Sequence, residues 1–220
     1  MTASLPLLYS FRRCPYAMRA RLGLLAANVN VQLREIELKQ KPSEMLAASP
    51  KGTVPVLVLP NGDVIEESLE IMLWALKQSD PRNLLLADKP NHSAAMLELI
   101  AQNDHEFKPW LDKYKYADRY PEQSQHDYHQ HAMAFINGLE SRLCHSDFLF
   151  TNHASLADYA ILPFIRQFAH VDLNDFGHQS VPRVQDWLAH FKQSAIFNAA
   201  MEKYSPWVVS QQSYQFGSFV

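Results

Sequence analysis

Over its first 78 residues the chain changes hydrophobic period repeatedly, and beyond about residue 92 it carries only the period of helices. "LPLLYS" is a short apolar strand, and "YAMRARLGLLAAN" has the apolar spacing of a helix. "VQLREIEL" alternates as a second strand, and "KPSEMLAAS" is a short helical or irregular piece. "VPVLVLPNGDVIEE" offers two brief apolar runs, and the Asn61-Gly62 pair between them predicts a two-residue hairpin turn. "SLEIMLWALKQ" returns to a helix. The order is therefore β-α-β-α-β-β-α. The first two strands are joined by a helical crossover and should run parallel, and the last two should form an antiparallel hairpin.

That order is a thioredoxin-like layout, α/β in class, and it occupies residues 1–79. The next stretch, 80–91, carries two prolines and no clear period, as a linker does. From 92 to 220 the patterns are helical, at about 92–118, 122–144, 155–170, 182–192 and 194–203, so the expected second domain is all-α. Its sharpest local signal is "SLADYAILPFIRQF", where Ser155 and Asp158 have the spacing of a capping box ahead of an apolar run. The tail "SPWVVSQQSYQFGSFV" is too apolar to float and should dock on the body or over a cleft. There is no internal repeat and no low-complexity tract.

With 220 residues, 47% hydrophobic and 20% charged, the chain can fill a core. Its net charge of −3 gives no basic excess, so nucleic acid is not an expected partner. No run approaches the roughly 20 apolar residues of a membrane span, and "MTASLPLLYS" lacks the features of a secretory leader. A cytoplasmic location is the expectation, with no membrane partner. Two cysteines, Cys14 and Cys144, are too few for a disulfide framework.

Cys14 stands just before Pro15. Proline suits the first helical position because its missing N–H would have had no partner there, so Cys14 falls at or beside the N-cap. Backbone N–H groups and the helix dipole favour a thiolate at that place, and Arg12 and Arg13 add positive charge. The plainer alternative is a small buried residue at a strand-to-helix turn. Cys144, near the end of a long helix with no such cues, reads as a packed thiol.

"CPYA" resembles the active-site turn of glutaredoxins and of cysteine-type glutathione transferases, with Ala17 where dithiol glutaredoxins have a second cysteine. A monothiol site cannot close its own disulfide, so the second thiol must come from outside, and glutathione is a natural supplier. "GTVPVL" is similar to the family's cis-proline loop, "EES" at 66–68 to its Glu-Ser pair opening a helix, and "SLADYAILPF" to the capping motif of its helical domain. The whole is similar to omega-class and related bacterial glutathione transferases. The resemblance implies a glutathione-binding first domain in which Phe11, Lys41, Val54, Pro55, Glu67 and Ser68 hold glutathione and Cys14 is catalytic. In it Val54-Pro55 is cis, Val54 meets the cysteinyl backbone of glutathione and Lys41 its glycine carboxylate. Ser68 at a helix start takes the γ-glutamyl carboxylate and Glu67 the α-ammonium. Lys39 or Lys51 stands as an alternative to Lys41. The resemblance also implies a two-fold homodimer, with glutathione as co-substrate and no metal.

The implied activity is glutathione-dependent thiol transfer through Cys14, of deglutathionylation, thiol-disulfide oxidoreductase or dehydroascorbate reductase type, on a small or protein-thiol acceptor. One alternative is conjugation of glutathione to electrophiles, with Tyr9, Ser10 or Tyr16 supplying a hydroxyl. Another is a non-catalytic binding or regulatory protein on the same fold. Two weaker signals lie in the helical half. "HDYHQH" spaces His126 and His129 for a metal but lacks a third ligand, and "DHEFKPWLDKYKY" is either an acceptor-pocket helix or ordinary aromatic packing.

Overall fold

A computed structural model describes residues 4–218, so the chain's first three and last two residues, which belong to the spans and tail named above, lie outside it. The fold divides into two compact units, Met1–Arg82 with Ser194–Val220, and Asn83–Gln193.

In the first unit β1 (Leu7–Ser10) runs into α1 (Pro15–Ala26), β2 (Val31–Glu35) and α2 (Ser43–Ala48), followed by β3 (Val56–Val58), β4 (Val64–Ile65) and α3 (Ser68–Gln78). The sheet order is β4-β3-β1-β2 with a fifth strand beyond β2. β1 and β2 are parallel, with Leu8 opposite Leu33, and β3 is antiparallel to both β1 and β4. This is the expected βαβαββα order.

Helix α1 has almost no solvent face. Apart from Tyr16 every residue from Pro15 to Ala26 is buried, which is why its apolar residues run all round it. It meets α3 at Gly23, where an added Cβ would lie 2.8 Å from the Cα of Met72, so only glycine allows that approach. It ends in a Schellman arrangement with Asn28, φ 54°, in the left-handed position that glycine often takes. Asn28 N–H donates to the Leu25 carbonyl at 3.2 Å and Val29 N–H to that of Leu24 at 3.0 Å.

The β3–β4 turn differs from the expected two-residue type. Gly62 N–H donates to the Leu59 carbonyl at 2.9 Å, closing a turn centred on Pro60 and Asn61, and Gly62 follows at φ 93°. Proline's fixed φ suits the first central position, so Pro60 draws the turn one residue back and glycine takes the bulge position of a three-residue loop.

The larger difference is at the C-terminus, where the expected all-helical span 92–220 does not stay with the helices. After Gln193, the last residue of the second unit, α10 (Ala195–Ala200) packs on α1, the short α11 (Trp207–Ser210) follows, and β5 (Tyr214–Phe216) pairs antiparallel with β2, Val31 opposite Phe216. The apolar tail thus completes the sheet by covering its open edge. Arg34 on β2 secures it, its guanidinium 3.6 Å from the centre of the Trp207 ring and its Nε donating to Ser213 Oγ at 3.1 Å.

The second unit is helical: α4 (Pro90–Gln102), a π-helical turn at Asn103–Phe107, α5 (Lys108–Lys115), α6 (Gln125–Leu143), α7 (Leu156–Ala169), α8 (Leu173–His178) and α9 (Pro182–Gln193). The stretch expected as a linker is partly structural, since Leu84 and Leu86 are buried and the Leu84 carbonyl accepts from Leu156 N–H at 2.8 Å. The Ser155–Asp158 capping box opens α7 as its spacing predicts. Among the described residues no helix is long and apolar enough to cross a membrane.

Candidate functional site

The turn Phe11–Cys14 leaves the end of β1 and opens α1. Cys14 is the N-cap, with φ −76° and ψ 126°, and Pro15 takes the first helical position. The Cys14 amide donates to the Phe11 carbonyl at 2.9 Å, and the Cys14 carbonyl accepts from Met18 N–H at 2.9 Å, so its backbone is fixed from both sides. The side chain is half-buried, with Sγ 3.7 Å from the Val54 carbonyl. Cys14 and Phe11 pack on a small apolar cluster of Tyr9, Ala17, Ile36, Met45, Val54 and Val56. The fold therefore brings together Cys14, Phe11 and Val54, and the Val54-Pro55 bond is cis.

The other expected residues lie on the adjoining loops. Ser68 is the first residue of α3 and is buried, with Glu67 as its N-cap. Ser49 Oγ hydrogen-bonds the Glu66 carboxylate, tying the loop before Val54 to the start of α3. Lys41 is exposed, and its ammonium lies over Gly52, where an added Cβ would be 3.6 Å from Nζ. Lys51 pairs with Glu67 at the surface, which raises the lysine's pKa. Of the three lysines named above, Lys41 thus lies beside the Val54 loop and Lys51 on the carboxylate at the start of α3, while Lys39 is exposed on the segment before Lys41.

Tyr9 and Ser10, each considered above as a hydroxyl for activating glutathione, are bound to arginines. Tyr9 is buried and its Oη accepts from Arg34 Nη1 at 3.1 Å, and burial pushes its pKa up despite that arginine. Ser10 is fully buried and its Oγ accepts from Arg21 Nε at 2.8 Å. Tyr16 is half-buried with Arg19 5.7 Å from its ring centre.

Arg19, Arg21 and Glu35 were not singled out in the sequence. Arg19 is buried and its Nη1 lies 3.4 Å from Ser68 Oγ. Arg21 is 0% exposed and pairs with the Glu35 carboxylate, which is 7% exposed. Burial pushes Glu35 up and Arg21 down, each opposed by its partner's charge. The signals were present. A helix apolar all round leaves no solvent face for two arginines, and Glu35 continues the inward positions Val31 and Leu33 of an alternating strand. In the second unit His126 and His129 stack 6.5 Å apart, and His129 lies against Phe168 and Tyr114. Among the described residues no three His, Cys, Asp or Glu side chains are grouped to hold a metal ion.

Residues 8–83 match the family described as Glutathione S-transferase, N-terminal domain. The chain is 28% identical over 183 residues to glutathione S-transferase omega-1 of Sus scrofa, covering 82% of this chain and 74% of that one. It is 45% identical over 58 residues to a probable glutathione transferase of Aplysia californica, 26% of this chain and 62% of that one. In fold it is similar to a glutathione transferase family member from Pseudomonas fluorescens with two glutathione bound, with a TM-score of 0.77 at 18% identity over 92% of this chain and 94% of that one. It is equally similar to the glutathione transferase URE2P6 from Phanerochaete chrysosporium in complex with oxidized glutathione, with a TM-score of 0.77 at 18% identity over 90% and 94%.

Proposed function

We propose that the chain is a member of the glutathione transferase family, as the match over residues 8–83 supports, and that it catalyses glutathione-dependent thiol transfer with Cys14 as the nucleophile. The observation that carries this reading is the place of Cys14: N-cap of α1, followed by Pro15, with Sγ beside the Val54 carbonyl and the cis Val54-Pro55 bond. A helix start favours the thiolate, the form that attacks sulfur. In the first half-reaction the Cys14 thiolate attacks the glutathione sulfur of a glutathionylated substrate. A Cys14–glutathione disulfide forms, the substrate disulfide breaks, and the substrate leaves as a thiolate that takes a proton from water. A second glutathione, as thiolate, attacks that mixed disulfide, releasing oxidised glutathione and restoring Cys14.

Glutathione sits with its cysteinyl backbone against Val54 and Pro55, beside Phe11. Ser68 and the N-terminus of α3 take the γ-glutamyl carboxylate. Ser68 Oγ faces a donor in Arg19, which leaves its O–H to donate to the carboxylate. Glu67 takes the α-ammonium, displacing Lys51 from a surface pair of the kind that contributes little. Lys41 meets the glycine carboxylate. The acceptor is a small or protein thiol, and the enzyme works as a cytoplasmic two-fold dimer.

Conjugation of glutathione is disfavoured as the main activity, because Tyr9 and Ser10 are engaged with arginines. The test is a paired assay of deglutathionylation and aryl-halide conjugation in the wild type and in Cys14→Ser. Serine is hardly ionised at neutral pH, so deglutathionylation falls to background while glutathione binding persists. A serine variant with full deglutathionylation activity would overturn the assignment.

A further inference from the structure

The turn that presents Cys14 is held from β2 by one carboxylate. Glu35 Oε1 accepts from the Arg12 backbone N–H at 2.8 Å, and its Oε2 pairs with Arg21 Nη2. Arg21 makes two further bonds nearby, from Nε to Ser10 Oγ at 2.8 Å and from Nη1 to the Ala200 carbonyl at 3.1 Å. The rings of Tyr204 and Phe216 close over the guanidinium, their centres 5.9 and 5.7 Å away. Arg12 is the second residue of a three-residue turn between β1 and the Cys14 N-cap, and its N–H, in a half-buried turn with no helix or strand partner, is held by an acceptor from outside the turn. The strand supplies it from 23 residues further along.

We propose that Glu35 is a positioning residue for Cys14: its carboxylate fixes the Arg12 amide, and with it the turn that sets Sγ at the start of α1, while Arg21 orients the carboxylate. The assignment deepens the reading of Cys14 as a nucleophile and rests on it. It makes a specific demand, that the acceptor atom for Arg12 N–H matters more than the charge of the pair.

Two double variants separate these. Arg21→Met with Glu35→Gln removes both charges and keeps a carbonyl oxygen for Arg12 N–H. Arg21→Met with Glu35→Ala removes both charges and the acceptor. The readout is the rate at which iodoacetamide alkylates Cys14 at neutral pH, followed by mass spectrometry so that the exposed Cys144 is counted separately. The Gln pair is expected within about threefold of the wild type and the Ala pair at least about tenfold slower, since small misplacements of a reacting atom are costly. Equal rates in the two variants, whether both slowed or both unchanged, overturn the proposal. Should the Ala pair fail to fold, amide exchange in the wild type decides: the Arg12 amide is expected to exchange about a hundredfold or more slower than in an unstructured chain, and unprotected exchange overturns the proposal. Alkylation needs no glutathione. A wild type that alkylates as expected but transfers no glutathione therefore refutes the thiol-transfer reading and leaves the positioning role tested on its own terms.

Discussion

The thioredoxin-like unit and the helical unit each bury a carboxylate next to the start of a helix, Glu35 beside the turn into α1 and Asp158 inside the first turn of α7. Asp158 is satisfied by neutral donors. Its oxygens accept from Ser155 N–H at 2.8 Å, Ser155 Oγ at 2.7 Å, Leu149 N–H at 3.0 Å and Trp187 Nε1 at 2.9 Å, and burial still pushes its pKa up. Glu35 has one backbone donor and one buried guanidinium. The first arrangement is built around a capping box and draws in Trp187, 29 residues along the chain, through a neutral donor. The second joins parts of the chain far apart and leaves a charge to be balanced. A carboxylate within one helix start can be surrounded by dipoles, whereas one that ties the Cys14 turn to the C-terminal return needs a partner that reaches several segments.

The largest effect that tests this contrast is at Asp158. Replacing it with alanine orphans four donors in a closed interior and should cost about 4 kcal/mol in denaturant unfolding. Glu35→Ala should cost slightly less, about 3 kcal/mol, because it leaves Arg21 buried and unpaired, and adding Arg21→Met should recover most of the loss. A comparable recovery on adding Ser155→Ala to Asp158→Ala would erase the distinction between the two sites.

Ser68 and Ser155 sharpen the contrast at smaller scale, as both are buried serines at a helix start. Ser68→Ala should weaken glutathione binding by about 1 to 2 kcal/mol, roughly tenfold, through one lost charge-assisted hydrogen bond, as calorimetry would read. Ser155→Ala should cost about 1 kcal/mol of stability and leave glutathione binding alone. Unchanged affinity in the first variant removes Ser68 from the site.

The smallest effect is the pH dependence that histidines contribute, which falls in one unit. All ten histidines lie between His92 and His190, within the helical unit. Burial lowers the pKa of His129 against the pull of Asp175, and burial with the charges of Arg166 and Lys192 lowers that of His170. A lowered folded value means the unfolded chain binds the proton more readily. Their contribution is therefore complete above about pH 6.5 and is lost as the pH falls through the folded values. Thermal melts should show the helical unit weakening first on mild acidification, and His129→Gln should flatten the slope. An unchanged slope in that variant assigns the effect elsewhere.

Most of the architecture was legible where neighbours in sequence are neighbours in space. The period of "VQLREIEL", the Cys14-Pro15 helix start and the Ser155–Asp158 box each act within a few residues and appear as read. The Asn61-Gly62 signal placed a hairpin correctly and its loop type one residue off, because Pro60 competes for the same turn. The helix at Leu173–His178 escaped the pattern because its segment LNDFGH buries a single side chain, Phe176, and so carries no apolar period. Cys14, Phe11 and Val54 share one apolar cluster, whereas the engagement of Tyr9 and Ser10 by Arg34 and Arg21 could not be foreseen from either hydroxyl's own neighbours.

What the amino-acid sequence determined alone is the βαβαββα order of the first 79 residues, the longer helices beyond it and the cysteine at a helix start, since caps, turns and amphipathic periods gain their energy from residues at most a turn or a strand apart. Only the tertiary structure decided that Tyr214–Phe216 returns to β2, that Arg34 clasps Trp207, and that Arg21 meets both Glu35 and the Ala200 carbonyl. Arg21 and Ala200 stand 179 residues apart in the chain, so no local preference favours their contact. Its entropic cost is met once the whole unit has closed, when burial removes water as the competing partner and makes that one arrangement better than any other.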